Sequence, residues 1–152
     1  MREQRSGAII NISSVAGRIA LPLFSAYVST KFALEGLSES MAYELQQFGI
    51  KVVIIEPGSI NTNFRSEQAA QATKDSPYYA IMQSAFEAIE GMLRQGIHPK
   101  EVAKVVFHAI DNPKPKLRYF VGKDAEEFIE ASRKLSEEEL FQTVSRNILK
   151  RG

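Results

Sequence analysis

Three polar residues near the start of the sequence have the types and the spacing of a proton-transfer site. Tyr27 follows Ser14 by thirteen residues, and Lys31 follows Tyr27 by four. On a helix, residues four apart project from one face with Cβ atoms about 6 Å apart. A phenol ionises near pH 10, but an ammonium group about 6 Å away favours the phenolate by roughly 3 kcal/mol at an effective dielectric near 20. The spacing therefore predicts that Tyr27 is an acid-base catalyst assisted by Lys31, with the Ser14 hydroxyl bonded to the substrate oxygen.

Two apolar runs and a helical pattern between them must position these residues. Ala8 to Ile12 and Lys51 to Glu56 are rich in β-branched residues, as expected of strands buried on both faces. Gly49 stands where a left-handed helix C-cap would lie. Apolar residues recur every three or four positions before it, namely Leu37, Met41, Leu45 and Phe48. The pattern predicts a right-handed parallel crossover in which the long helix joins two strands.

The rest of the sequence continues the alternation of helices and strands. We expect a helical run after Tyr79, a helix from Pro99 that ends before Pro113, a strand from Leu117 to Val121, and a last helix opened by a Ser136–Glu139 capping box. No linker or internal repeat divides the 152 residues. The sequence therefore predicts an α/β fold in one domain that spans residues 1–152.

Three polar or turn-forming segments are predicted to meet at one edge of this sheet. Ser13 and Ser14 follow the first strand, Tyr27 lies early in the long helix, and Pro57–Gly58 ends the second strand. In an open parallel sheet, ligands bind beyond the carboxyl ends of the strands. We therefore expect a ligand site at this edge.

Composition and charge exclude several functional classes. The chain has no cysteine and a formal net charge of +1, so disulfides and thiolate chemistry are excluded, and no charge excess favours nucleic acid or an anionic membrane as a partner. His98 and His108 have no metal-ligand partner at a useful spacing, and no metal is expected. No apolar run resembles a membrane span or a signal peptide, which predicts a cytoplasmic protein.

Three segments resemble the motifs of the short-chain dehydrogenase/reductase family in order and spacing. They are Gly7–Gly17 (GAIINISSVAG), Tyr27–Lys31 (YVSTK) and Pro57–Thr62 (PGSINT). The resemblance implies a Rossmann-like parallel sheet, NAD or NADP as cofactor, and hydride transfer with an alcohol or ketone substrate. It also implies that Ser14 is the catalytic serine.

The resemblance implies further roles around the cofactor. Tyr27 would be the acid-base, and Lys31 would bind the nicotinamide ribose and favour the ionised tyrosine. Pro57, Gly58, the Ile60 backbone and the Thr62 side chain would contact the nicotinamide. Members of the family are commonly homo-oligomers, which we expect here if the protein is complete.

The resemblance also places a substrate-covering lid at about residues 63–96. Aromatic and apolar side chains there either face an apolar substrate or pack on the sheet, and the sequence leaves both readings open; these are Tyr78, Tyr79, Ile81, Met82 and Phe86. The segment Leu117–Gly122 is similar to the branch with retinol- and hydroxysteroid-type members. That similarity points to an apolar alcohol or ketone.

One departure from the family pattern leaves two functions open for this chain. Family members carry a Thr-Gly-x-x-x-Gly-x-Gly turn that cradles the cofactor pyrophosphate, and the nine glycines here include no pair separated by a single residue. We therefore expect the incomplete, C-terminal half of a doubly wound fold, with an unpaired sheet edge that makes the isolated chain associate or dissolve poorly. The alternative to an oxidoreductase is a non-catalytic fragment that retains only fold and subunit contacts.

Overall fold

The computed structural model describes residues 1–62 and 73–149, which form a parallel sheet with helices packed on it. In chain order the elements are β1 (Gly7–Ile12), α1 (Ser25–Leu45), β2 (Ile50–Pro57), α2 (Tyr79–Arg94), α3 (Pro99–Asp111), β3 (Arg118–Val121), α4 (Lys123–Lys134) and α5 (Glu137–Leu149). Short 3-10 helices occupy Val15–Gly17 and Gln46–Phe48. The α/β prediction and the order of its elements are confirmed.

The sheet has the order β1-β2-β3, with both pairs of strands parallel. The central strand is buried on both faces, and Val53, Ile54 and Ile55 are 0% exposed. The prediction that β1 is equally buried is wrong, because its six residues are half-buried or exposed and Ile12 is 43% exposed. β1 has a neighbouring strand on one side only within the described ranges, so its outer side is left uncovered.

Alternate side chains of β2 face two different helices. Val53 and Ile55 pack with Ala109 of α3 in one apolar cluster. Glu56 points to the other face, where it meets the Glu35 side chain of α1. The crossover helix α1 therefore covers one face of the sheet and α3 covers the other.

The helical segment before β2 ends at Gly49 as predicted, through the 3-10 helix that follows α1, and one face of α1 is exposed. Gly49 has a φ of 68°, the left-handed conformation that favours glycine. A Cβ added at Gly36 would have no heavy atom within 4 Å, so no helix packs there in the described residues. Phe32, Leu37 and Tyr43 of the same helix are 45%, 56% and 67% exposed.

The C-terminal elements follow their sequence signals closely. The Glu139 N–H donates to Ser136 Oγ at 3.3 Å and the Ser136 N–H donates to Glu139 Oε2 at 2.9 Å, which confirms the capping box. His98 caps α3 through Nδ1, which accepts from the Lys100 N–H at 3.1 Å. Among the described residues, no helix is long and apolar enough to cross a membrane.

Candidate active site

The ends of β1 and β2 lie side by side because the two strands are parallel and in register. Ile12 pairs with Ile55, and the Ser13 N–H donates to the Ile55 carbonyl at 2.8 Å. The segments that follow the two strands therefore leave the sheet at the same edge. This is the edge at which the sequence predicts a ligand site.

Ser14 occupies the first turn beyond β1. Its backbone is extended, with φ −167° and ψ 160°, and its Oγ accepts from the Ala16 N–H at 3.1 Å as it caps a 3-10 helix. A hydroxyl that accepts one bond can still donate its own proton. Ser14 is half-buried, whereas Ser13 is only 3% exposed. Of the two serines, Ser14 is therefore the one open to a ligand.

Tyr27 and Lys31 lie one turn apart near the start of α1, as their spacing predicts. The Lys31 Nζ donates to the Ile12 carbonyl at 2.9 Å and lies 5.6 Å from the centroid of the Tyr27 ring. Burial lowers the pKa of Lys31, and the Glu35 carboxylate one turn further along acts in the opposite direction. The bond to Ile12 brings the ammonium group to the end of β1, two residues from Ser14.

The loop after β2 is held by a short bridge to the segment before α3. The Ile97 N–H donates to the Ser59 carbonyl at 3.1 Å, and the Asn61 N–H donates to the Ile97 carbonyl at 3.0 Å. A Cβ added at Gly96 would lie 2.6 Å from the Ser59 carbonyl carbon, so this approach requires glycine. The Ser59 carbonyl belongs to the peptide group before Ile60, and the Asn61 N–H belongs to the one after it. The bridge therefore holds both sides of Ile60, the residue whose backbone the resemblance assigns to the nicotinamide.

Asp124, a residue that no sequence motif pointed to, holds the start of the same loop. Its Oδ2 accepts from the Ser59 N–H at 2.6 Å, and its Oδ1 accepts from the Ala125 N–H at 2.9 Å. The carboxylate also fills the space in front of Gly58, where a Cβ would overlap it. An acidic residue in the first turn of α4, two positions after Gly122, was the only signal.

A buried group of charges lies behind the site and was also not predicted. Arg118 of β3 contacts Glu35 and Glu39 of α1 and Glu56 of β2. The paired residues are far apart in sequence, and Arg118 follows Glu35 by 83 positions. No local pattern links such residues.

The predicted lid is only partly described. Residues 63–72, at its start, lie outside the described residues, and Thr62 is the last residue before them. Within α2, Met82 is 8% exposed and Phe86 makes an edge contact with Phe24 at 6.3 Å between ring centroids. Tyr78, directly before α2, is 64% exposed. Met82 is thus buried and Phe86 packs against Phe24, whereas Tyr78 is exposed.

The chain is similar to curated oxidoreductases over most of its own length. An uncharacterized oxidoreductase of Schizosaccharomyces pombe is 38% identical over 121 residues, which are 80% of this chain and 51% of that protein. Human 17-beta-hydroxysteroid dehydrogenase type 1 is 34% identical over 126 residues, which are 79% of this chain and 38% of that protein. The chain thus spans about half the length, or less, of these curated relatives.

Solved structures and a family model lead to the same family. A short-chain dehydrogenase from Streptomyces avermitilis is 38% identical with a TM-score of 0.73, over 96% of this chain and 53% of that one. A short chain dehydrogenase/reductase from Burkholderia phymatum in complex with NAD is 21% identical with a TM-score of 0.67, over 94% of this chain and 51% of that one, and it supports the fold alone. The family model for short chain dehydrogenase matches residues 1–73. The partial Rossmann-like sheet is thereby confirmed, and the chain belongs to the short-chain dehydrogenase/reductase family of oxidoreductases.

Proposed function

We propose that the protein transfers hydride between NAD or NADP and an alcohol or ketone, with Tyr27 as the acid-base. One observation carries the proposal. Lys31 is bonded to the end of β1 and stands 5.6 Å from the Tyr27 ring centroid, at the edge where Ser14 and the loop after β2 meet.

The residues at this edge fit the nicotinamide end of the cofactor. An ammonium group has three N–H donors, and the Ile12 carbonyl takes one from Lys31, which leaves donors suited to ribose hydroxyls. The loop from Pro57 to Thr62 leaves the sheet at the same edge and would contribute backbone groups and the Thr62 side chain. When bound, the nicotinamide supplies or accepts the hydride. No Gly-x-Gly turn for the pyrophosphate exists among the 152 residues.

The chain's own residues would move one proton. The Tyr27 hydroxyl gives a proton to, or takes one from, the substrate oxygen, while the Ser14 hydroxyl donates a hydrogen bond to that oxygen. The Lys31 ammonium lies 5.6 Å from the centroid of the Tyr27 ring, so its positive charge stands close to the group that would exchange the proton. Lys31 thus assists the proton transfer and binds the ribose.

An apolar alcohol or ketone is the substrate class that we propose. Two observations support this choice. The relatives include a hydroxysteroid dehydrogenase, and the exposed Tyr78 lies at the start of the helix that follows the loop. A ketone with an apolar body would bury its carbonyl against Ser14 and Tyr27.

The second candidate function is non-catalytic, a chain that retains only fold and subunit contacts. It is favoured by the missing glycine-rich turn and by the exposed apolar residues of α1. Fluorescence titration of the purified protein with NADH and NADPH separates the two candidates. Saturable binding supports the oxidoreductase, and no binding at millimolar cofactor supports the second candidate.

A single substitution at Tyr27 tests the acid-base assignment. Tyr27→Phe should lower turnover by at least about 10²-fold and leave the cofactor Kd nearly unchanged, because only the proton carrier is removed. Tyr43→Phe is the matched control, since Tyr43 lies on the same helix and is 67% exposed. Equal loss of turnover in both variants, or equal loss of binding and turnover at Tyr27, would refute the assignment.

A further inference from the structure

Three carboxylates compete for one arginine behind the candidate active site. Arg118 Nε lies 3.0 Å from Glu35 Oε2 and 3.2 Å from Glu56 Oε1, and its Nη2 lies 2.7 Å from Glu39 Oε2. Glu56 is 0% exposed and Glu35 is 5% exposed. The cluster joins α1, β2 and β3 through side chains alone.

Several buried carboxylate oxygens of this cluster accept no hydrogen bond from an N–H or O–H donor among the described residues. The Nε of an arginine carries a single N–H, and in this cluster it donates to Glu35. Neither oxygen of Glu56 accepts a hydrogen bond from any residue that the structure describes, and Oε1 of Glu35 likewise accepts none. A buried, ionised carboxylate without a donor costs several kcal/mol. A proton on one of the two carboxyls turns an acceptor into a donor and removes that cost.

The charged groups of this cluster come from α1, from β3 and from the segment after Ser14. α1 contributes Glu35 and Glu39, β3 contributes Arg118, and Arg18 lies just beyond the 3-10 helix after Ser14. Burial, and then the negative charge of Glu35, raise the pKa of Glu56 to about 7, against the opposing effect of the two arginines. Glu35 also lies one turn from Lys31 and acts on its charge.

We propose that Glu35 and Glu56 share one proton at neutral pH, and that the pair, held by Arg118, positions the helix that carries Tyr27 and Lys31. Oxygens of both carboxyls approach the same atom, Arg118 Nε, at 3.0 and 3.2 Å, so a proton shared by the two groups bridges α1 to the last residues of β2. Pro57 follows Glu56 directly, and the loop assigned to the nicotinamide starts there. The shared proton thus connects the two halves of the site. The positioning role rests on the proposed function, whereas the shared proton does not.

Carbon-13 NMR of glutamate side-chain carboxyls over pH tests the shared proton without substrate. One glutamate should titrate near pH 7 in the purified protein, and its signal should be missing from Glu56→Gln. Glu35→Gln should lower the midpoint of Glu56 by at least one pH unit, because it removes a like charge and frees the N–H of Arg118. Glu44→Gln, an exposed position on the same helix, is the control and should change nothing. A Glu56 that titrates near its ordinary value, or one unmoved in Glu35→Gln, would overturn the shared proton.

The positioning role is read from the side-chain NMR signals of Tyr27 and Lys31. Both should shift with the same midpoint as Glu56, and both shifts should vanish in Glu56→Gln, which is neutral at every pH. Signals that stay flat through the Glu56 titration would overturn the positioning role. Failure of cofactor binding or turnover would refute the proposed function instead, because neither enters these titrations.

Discussion

Asp124→Ala should loosen the loop that the site needs for the nicotinamide. The carboxylate accepts from the Ser59 N–H at 2.6 Å and from the Ala125 N–H at 2.9 Å, and it lies at the start of α4. Alanine removes both acceptors and the negative charge. Ser59 is half-buried, so its N–H loses a bond that water replaces only in part.

The expected loss of stability follows from these contacts. An unsatisfied, partly buried N–H costs about 1–3 kcal/mol, and the lost charge at a helix N-terminus costs about 0.3–1 kcal/mol. Together they give a decrease of roughly 2–3 kcal/mol in the free energy of unfolding, or a Tm lower by about 6 °C. If the freed loop must be ordered again on binding, a cost of about 1.4 kcal/mol raises the cofactor Kd by about tenfold.

Urea unfolding and cofactor titration of three variants check this reasoning. Asp124→Asn keeps an acceptor for the Ser59 N–H and should lower the free energy of unfolding by about half as much as Asp124→Ala. Glu126→Ala removes an exposed charge from the same first turn without a contact to the loop, and should cost at most about 1 kcal/mol. If Asp124→Ala and Glu126→Ala behave alike, Asp124 acts only on the helix dipole and does not hold the loop.

Three further predictions concern the charge cluster and the glycines. Arg118→Met should lower the free energy of unfolding by about 3–5 kcal/mol, because it leaves buried carboxylates unpaired; a loss below about 1 kcal/mol in urea unfolding would contradict this. The folded-state pKa of Glu56 is raised from 4.5 to about 7, so between these pH values the folded state binds more protons than the unfolded state. The free energy of unfolding should therefore fall by up to about 3 kcal/mol as the pH rises from 4.5 to 7. Unfolding curves of Glu56→Gln over the same range should lack this fall, and a slope unchanged in the variant would assign it to another group. Gly96→Ala should cost about 1–3 kcal/mol through overlap with Ser59, whereas Gly91→Ala, with open space around it in α2, should raise the Tm through a gain of about 0.5–1 kcal/mol. If Gly96→Ala were more stable than Gly91→Ala, the bridge between Gly96 and Ser59 would not be rigid.

Local signals in the sequence determined the elements and the spacing of the candidate site. The left-handed Gly49, the Ser136–Glu139 capping box and the pair Tyr27–Lys31 each depend on residues at most four positions apart. Interactions of this range follow from backbone geometry within one element, so a pattern of residue types is enough to predict them. The order of strands and helices followed from the same periodicities.

The tertiary structure alone decided which distant side chains meet and which strand is covered. Arg118 meets Glu35 and Glu56 because β3 lies beside β2 and α1 crosses the same face, and Asp124 reaches the loop because α4 starts where β3 ends. The half-buried state of β1 likewise follows from its place at the end of the sheet order. Such contacts depend on the packing of whole elements, and residue types along one segment carry no information about that packing.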